Sequence, residues 1–310
     1  MTAIMSRSPD HDRKKRMAWR GGLLVLVAAS LWGTAGVAAR WIHEAGTLSS
    51  TEIGFWRMGL AAPLLLIAAA LMGGRPRLGA NRPLLLIILM GLALAGFQVG
   101  YFTAIAAIGV ALATLLAICT IPVLTAFLAW PIYGEKPGLT IICALGLACA
   151  GMVLIVGGAD LPRMPGSGGL RLGLPMALTA GLCFALLTLA GRSLPPAQHP
   201  LWTAGLTLSI AALALAPVVL LQAADLPANE GLTWPALLWI ALLPTAVAYV
   251  LFYSGVGKVA SGTAGLLILA EPLTANILAW LVHDERLGSL GWLGAALLLV
   301  AMALGAKRPD

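Results

Sequence analysis

Glu271 is the residue in this sequence whose type and place most strongly suggest chemistry. It precedes Pro272 in an apolar run and stands 14 positions before Glu285. If the run is helical, a rise of 1.5 Å per residue puts Glu271 roughly 21 Å from that end of a ~30 Å hydrocarbon core. A carboxylate at such depth costs about 2.5–3.5 kcal/mol on insertion scales, and residues of this kind usually face an interior cavity or a partner. It could carry a proton or receive the ammonium group of a substrate. The structural alternative is a protonated Glu bonded to carbonyls that Pro272 leaves free, and the repeat counterpart Ile121 carries no acid.

Further polar and aromatic residues fall at spacings that could line a binding cavity. Gln98 and Tyr101 are three apart and share a helical face, with Phe102 adjoining them. A buried amide and phenol need partners, and a bound solute can supply them. Tyr249 and Tyr253 form an i, i+4 aromatic stripe, which is a candidate wall or plain packing. Trp32 lies near the middle of its span, too central for an interfacial belt, and is a candidate cavity wall. Catalytic chemistry has little to work with. None of the four His and no Asp lies in an apolar span, and Ser261 lacks the Gly of a Gly-x-Ser-Gly motif. The chain has no phosphate-binding Gly-x-x-x-x-Gly-Lys-Ser/Thr loop. Cys119, Cys143, Cys149 and Cys183 show no metal-ligand spacing and read as small buried hydrophobes. No catalytic residue, metal or cofactor is expected.

The elements that must position these residues follow from composition. Of 310 residues, 60% are hydrophobic and 10% are charged, and the mean hydropathy is +0.95. Soluble domains carry about 25% charged residues. A soluble enzyme, a nucleic-acid-binding domain and a disordered chain are therefore excluded. Ten apolar runs of spanning length are expected at about 21–42, 53–72, 83–106, 110–132 and 139–156, then 172–190, 201–222, 234–256, 263–282 and 290–306. Runs such as Leu84–Leu94 do not alternate as barrel strands would. The fold class is all-α, a polytopic membrane bundle in contact with the lipid bilayer. The first run is long for a secretory signal and is expected to be retained.

Most of the 19 Lys and Arg fall on one side, beginning with the tail residues Arg7, Arg13, Lys14, Lys15, Arg16 and Arg20. The positive-inside rule then places both termini in the cytoplasm and the protein in the cytoplasmic (inner) membrane. The net charge of +7 thus reports orientation, and no nucleic-acid partner is expected. Arg57 lies about one turn inside the second span. It is expected to snorkel outward, with pairing to substrate or an outer acid as the alternative.

The chain divides into a basic cytoplasmic tail (1–20), a five-span repeat (21–156), an external linker (157–171), a second five-span repeat (172–306) and a short cytoplasmic tail (307–310). A shift of 150 residues matches Phe102 with Phe252, Ile118 with Ile268, Pro122 with Pro272, Trp130 with Trp280 and Glu135 with Glu285. Five spans is an odd number, so the second repeat enters the bilayer inverted. Secondary transporters of this design bind substrate at the repeat interface near the midplane. Pro122 and Pro272 occupy matching places and suit either hinges or static shaping of the helices. Gly288, Gly291 and Gly294 offer a face for close helix contact or a homodimer.

The motifs Ile121-Pro122, Ala129-Trp130 and Gly134-Glu135-Lys136 in one half, Glu271-Pro272, Ala279-Trp280 and Asp284-Glu285-Arg286 in the other, and Leu31-Trp32-Gly33-Thr34 resemble the drug/metabolite transporter superfamily. Within it, the chain is similar to the EamA-type ten-helix proteins. That resemblance implies export of small organic solutes, among them amino acids, including aromatic ones, and also purines, drugs and cofactor precursors. The expected function is secondary transport of amino acids (aromatic or broad neutral) or similar zwitterions by alternating access. Drug or other metabolite efflux by proton antiport is the alternative, and a channel or embedded enzyme is disfavoured.

Overall fold

The computed structural model describes residues 9–44, 48–72, 81–157, 167–221, 233–283 and 288–306. Most of the linker and the repeat-motif residues Asp284, Glu285 and Arg286 lie outside them. The helices are α1 (Pro9–Glu44), α2 (Ser50–Leu71), α3 (Asn81–Ile108), α4 (Val110–Tyr133), α5 (Leu139–Gly157), α6 (Ser167–Arg192) and α7 (Pro200–Leu221). They continue with α8 (Thr233–Ile240), a π-helical segment (Ala241–Val247), α9 (Ala248–Gly255), a 3-10 turn (Val256–Lys258), α10 (Ser261–Ile268), α11 (Ala270–His283) and α12 (Ser289–Ala306). The eighth span runs from α8 through the 3-10 turn, and the ninth joins α10 to α11. Among the described residues these make 10 helices long and apolar enough to cross a membrane. Large apolar side chains face outward, such as Leu85 at 66% and Leu213 at 73% exposed. Lipid is the solvent for such a surface. Residues 9–20 of the basic tail continue the first span as one helix.

Prolines shape three spans differently. Pro272 has no N–H to give the Ile268 carbonyl and crowds it. The ninth span breaks one turn earlier, at Leu269, whose amide bonds to Leu266 O at 3.2 Å. Pro122, at the matching place, sits inside an uninterrupted α4. Pro244 lies within the π segment of the eighth span. A π-helical turn of this kind often marks a functional site. Elsewhere the ends are conventional. Ser49 and Glu52 form a reciprocal capping box at the start of α2, and Gly134 ends α4 in the left-handed conformation at φ 73°.

The packing obeys the repeat. The pairs α3–α6 and α4–α6 have counterparts in α1–α9 and α1–α11, and α3–α7 has its counterpart in α2 against the π segment. The pairs α2–α7, α4–α10 and α5–α12 map onto themselves. The chain is therefore a ten-helix bundle of two inverted five-helix repeats that interlock. Small residues allow the closest crossings. A Cβ at Gly33 would meet the Glu271 carbonyl, and one at Gly294 would meet that of Gly151. Gly294 is thus taken up by α5 within the chain, and Gly291 is buried, which leaves neither available to a second copy.

Candidate functional site

Between the repeats lies a cavity of about 380 Å³. It takes in the later turns of α1 and α3, the first turns of α2 and α4, Ile240 of α8 and the residues of α11 from Glu271 to Asn276. All of these belong to the half of the bundle where α2 and α4 begin. Trp32, Gln98, Tyr101, Phe102, Tyr249, Glu271 and Pro272 line it. Tyr253 and Pro122 do not. Tyr253 points beneath the cavity, its ring 6.0 Å from that of Tyr249 and against Gly191. Pro122 packs on Gly265 at the α4–α10 crossing.

The floor is aromatic. The Trp32 ring lies 5.5 Å from Phe184 edge to face, and 5.2 Å from both Tyr249 and Phe252. Phe97 stacks on Tyr101 at 5.5 Å and 8°. The Trp32 indole N–H has no hydrogen-bond partner among the described residues. The Tyr101 hydroxyl is engaged with Thr114 Oγ1 at 2.6 Å.

Arg57 corrects the sequence expectation. It does not snorkel to the outer surface but reaches into the cavity, where Nη2 donates to Gln98 Oε1 at 3.2 Å and Nη1 to Thr245 Oγ1 at 3.3 Å. The π segment positions Thr245 for this bond. Gln98 is 2% exposed, its amide seated on the bare backbone of Gly54, and its Nε2 has no partner. Both Arg57 bonds are long for charge-assisted ones, so the guanidinium is held without being saturated.

Glu271 lines the same cavity and interacts electrostatically with Arg57, Tyr101 and Tyr249. Its carboxyl takes no hydrogen bond from any described residue. Asn276 Nδ2 donates to the carbonyl of Pro272 at 2.7 Å, one turn along α11. Sequence reasoning overlooked Thr114, Thr245 and Asn276 as site residues, although a Thr directly after Pro244 was a usable signal. The stronger signal was that Arg57 and Glu271 are of opposite sign and both lie within spans.

A second polar cluster closes the opposite end. Arg192, at the end of α6, grips Glu135 with both nitrogens, Nη1 to Oε2 at 2.6 Å and Nη2 to Oε1. Nη1 also donates to Ser261 Oγ, and the Ser261 amide donates to Glu135 Oε2 at 3.1 Å. The guanidinium lies 4.7 Å over the Tyr133 ring, whose hydroxyl meets Ser193 Oγ at 2.6 Å and donates to the Leu189 carbonyl. Burial pushes the Glu135 carboxyl up, but hydrogen bonds from Arg192 and Ser261 and the Arg192 charge outweigh it and hold the group below its ordinary value. The positive-inside pattern had treated Arg192 as a surface charge only. No cluster of three or more His, Cys, Asp or Glu able to hold a metal occurs among the described residues.

Comparisons with known proteins agree with this architecture. The model of the EamA-like transporter family matches the chain twice, at residues 19–157 and 171–305. The uncharacterized transporter YwfM of Bacillus subtilis is 31% identical over 288 residues, covering 93% of this chain and 94% of the relative. The uncharacterized inner membrane transporter YicL of Salmonella typhimurium is 26% identical over 290 residues, 92% and 94% of the two chains. One solved crystal structure superposes with a TM-score of 0.78 at 19% identity, covering 92% of this chain and 95% of its own, which establishes the shared fold. On its two family matches and its similarity to YwfM, the chain belongs to the EamA-like transporter family, multi-pass membrane transporters of small solutes.

Proposed function

We propose that this protein is a secondary transporter that exports amino acids or similar small zwitterions by alternating access around the inter-repeat cavity. The observation that carries this reading is that two side chains of opposite charge type, Arg57 and Glu271, line one cavity. A free amino acid carries a carboxylate and an ammonium group a few bonds apart. Arg57 with Gln98 would receive the first, and Glu271, open on the cavity side, the second. The aromatic floor of Trp32, Phe184 and Tyr249 suits an apolar or aromatic side chain. A volume of about 380 Å³ falls within the range of small-ligand sites.

One carboxylate cannot hold a proton and an ammonium group at once. Competition between them at Glu271 would couple solute movement to a proton moving the opposite way. The Lys/Arg distribution supports cytoplasmic termini in the inner membrane, so that the open cavity faces outward. Export is supported by the family resemblance. The second reading, efflux of an organic cation, is favoured by Glu271 and the aromatic floor but opposed by Arg57.

Proteoliposomes loaded with labelled amino acids test the proposal. Saturable, protein-dependent flux with counterflow is expected. Absence of flux for every amino acid tried would end the amino-acid reading, and unsaturable currents in planar bilayers would replace the transporter with a channel.

A further inference from the structure

Identical residues of the two repeats are in different states. Phe102, Ile118 and Pro272 line the cavity, whereas their counterparts Phe252, Ile268 and Pro122 are packed away. Phe102 is partly exposed where Phe252 is 0% exposed; Ile118, at 3%, and Pro272 are buried like their counterparts and differ in bordering the cavity, while Pro122 lies against Gly265. The residue types are the same, so composition does not create the difference. The arrangement of the repeats does, and an inverted pair has two such arrangements that exchange the roles of its halves.

Applying the same shift to other cavity residues maps Arg57 onto Thr207 and Ala275 onto Thr125. Both threonines are 0% exposed, and neither hydroxyl has a hydrogen-bond partner among the described residues. The buried Tyr253 hydroxyl, beside Thr207, is also without a well-formed bond. Buried polar groups are ordinarily satisfied, and two orphaned threonines on the images of cavity-wall residues, with the Tyr253 hydroxyl beside one of them, need a cause.

We infer that Thr125, Thr207 and Tyr253 line a second, latent vestibule, opening on the Glu135 side, whose hydroxyls take the polar groups of the same zwitterionic solute. The inference rests on the transport reading. The gate of this vestibule is the Glu135–Arg192–Ser261 clasp. It ties α4 of the first repeat to α6 and α10 of the second at the end opposite the open cavity. Closing one end while the other is open requires such a bond between repeats. Tyr133 braces it by lying under the guanidinium and fastening to the end of α6.

Cysteine accessibility tests this without knowledge of the solute. In a full-length chain with Cys119, Cys143, Cys149 and Cys183 replaced, Thr125→Cys, Thr207→Cys and the open-cavity reporter Asn276→Cys are introduced singly. Each is treated with a membrane-impermeant maleimide in inside-out and right-side-out vesicles. With the clasp intact, Asn276→Cys labels and the other two do not. Adding Arg192→Ala should raise labelling of Thr125→Cys and Thr207→Cys from the Glu135 side about tenfold and lower that of Asn276→Cys, a shift of about 1.4 kcal/mol. The milder Glu135→Gln should move all three in the same directions, which guards against misfolding of the first variant. Labelling that stays absent at both threonine positions in both backgrounds overturns the vestibule. So does a gain there with Asn276→Cys unchanged, because that would be local loosening without exchange between two states. Either result is separate from a failure of amino-acid flux, which would leave the accessibility pattern standing.

Discussion

Replacing Arg57 with Gln tests the chemistry of the cavity most directly. The substitution keeps a polar side chain near Gln98 and Thr245 but removes the charge and the two-nitrogen reach. A hydrogen bond to a charged group contributes about 1.5–3 kcal/mol. If Arg57 holds the carboxylate of the solute, its loss should weaken apparent affinity roughly tenfold to a hundredfold. The proper comparison is between an amino acid and the amine that lacks only its carboxylate. In counterflow assays Arg57→Gln should raise KM for the amino acid by that factor and leave the amine unchanged or improved. Part of any loss could come from the cavity itself, because Gln98 Oε1 would lose its donor in a site only 2% exposed. That part falls on both solutes equally, so the ratio of the two KM values isolates the carboxylate contact. An unchanged ratio would refute the assignment of Arg57, whatever happened to the absolute rates.

Glu271→Gln should show the reverse selectivity, losing the amine more than the corresponding carboxylic acid. It should also retain counterflow while no longer responding to an imposed pH gradient, and a normal gradient response would remove Glu271 from coupling. Gly54→Ala would drive a methyl group into the Gln98 amide. Transport should fall by about tenfold or more with the protein still folded, which size-exclusion chromatography in detergent would show, since a misplacement of ~1 Å can cost that much. The clasp should depend on acid in a defined sense. Glu135 is held below its ordinary value of 4.5 by Arg192 and Ser261, the groups that face it together with Tyr133. Its contribution is therefore complete above that value and lost as pH falls through the lower folded value. Thermal melting of the wild type relative to Glu135→Gln should differ by a constant amount from pH 6 to 8, and the difference should vanish only in acid well below 4.5.

The spans and their inversion were legible from the sequence because each signal is local. Twenty apolar residues identify a crossing wherever they occur, and an odd number of crossings per repeat forces the inversion. The depth of Glu271 followed from the same arithmetic, as did the central place of Trp32. The direction in which a span presents its side chains was not legible. In a soluble helix the polar face announces the outside, but here helices such as α4 and α7 are apolar on every side, so hydropathy carries no rotational information. That is why Arg57 read as a snorkelling residue and Tyr249 and Tyr253 read alike, although one lines the cavity and the other lies beneath it. The matched prolines were also indistinguishable in sequence. The packing of α10 against α4 left Pro122 in a continuous helix, while the ninth span broke before Pro272. The sequence by itself determined how many times the chain crosses the membrane, the inverted relation of its halves and the one deep carboxylate. Only the tertiary structure decided which charged side chain shares a cavity with that carboxylate, and that Glu135 meets Arg192 at the opposite end of the bundle, because both depend on helix rotations set by contacts between spans distant in the chain.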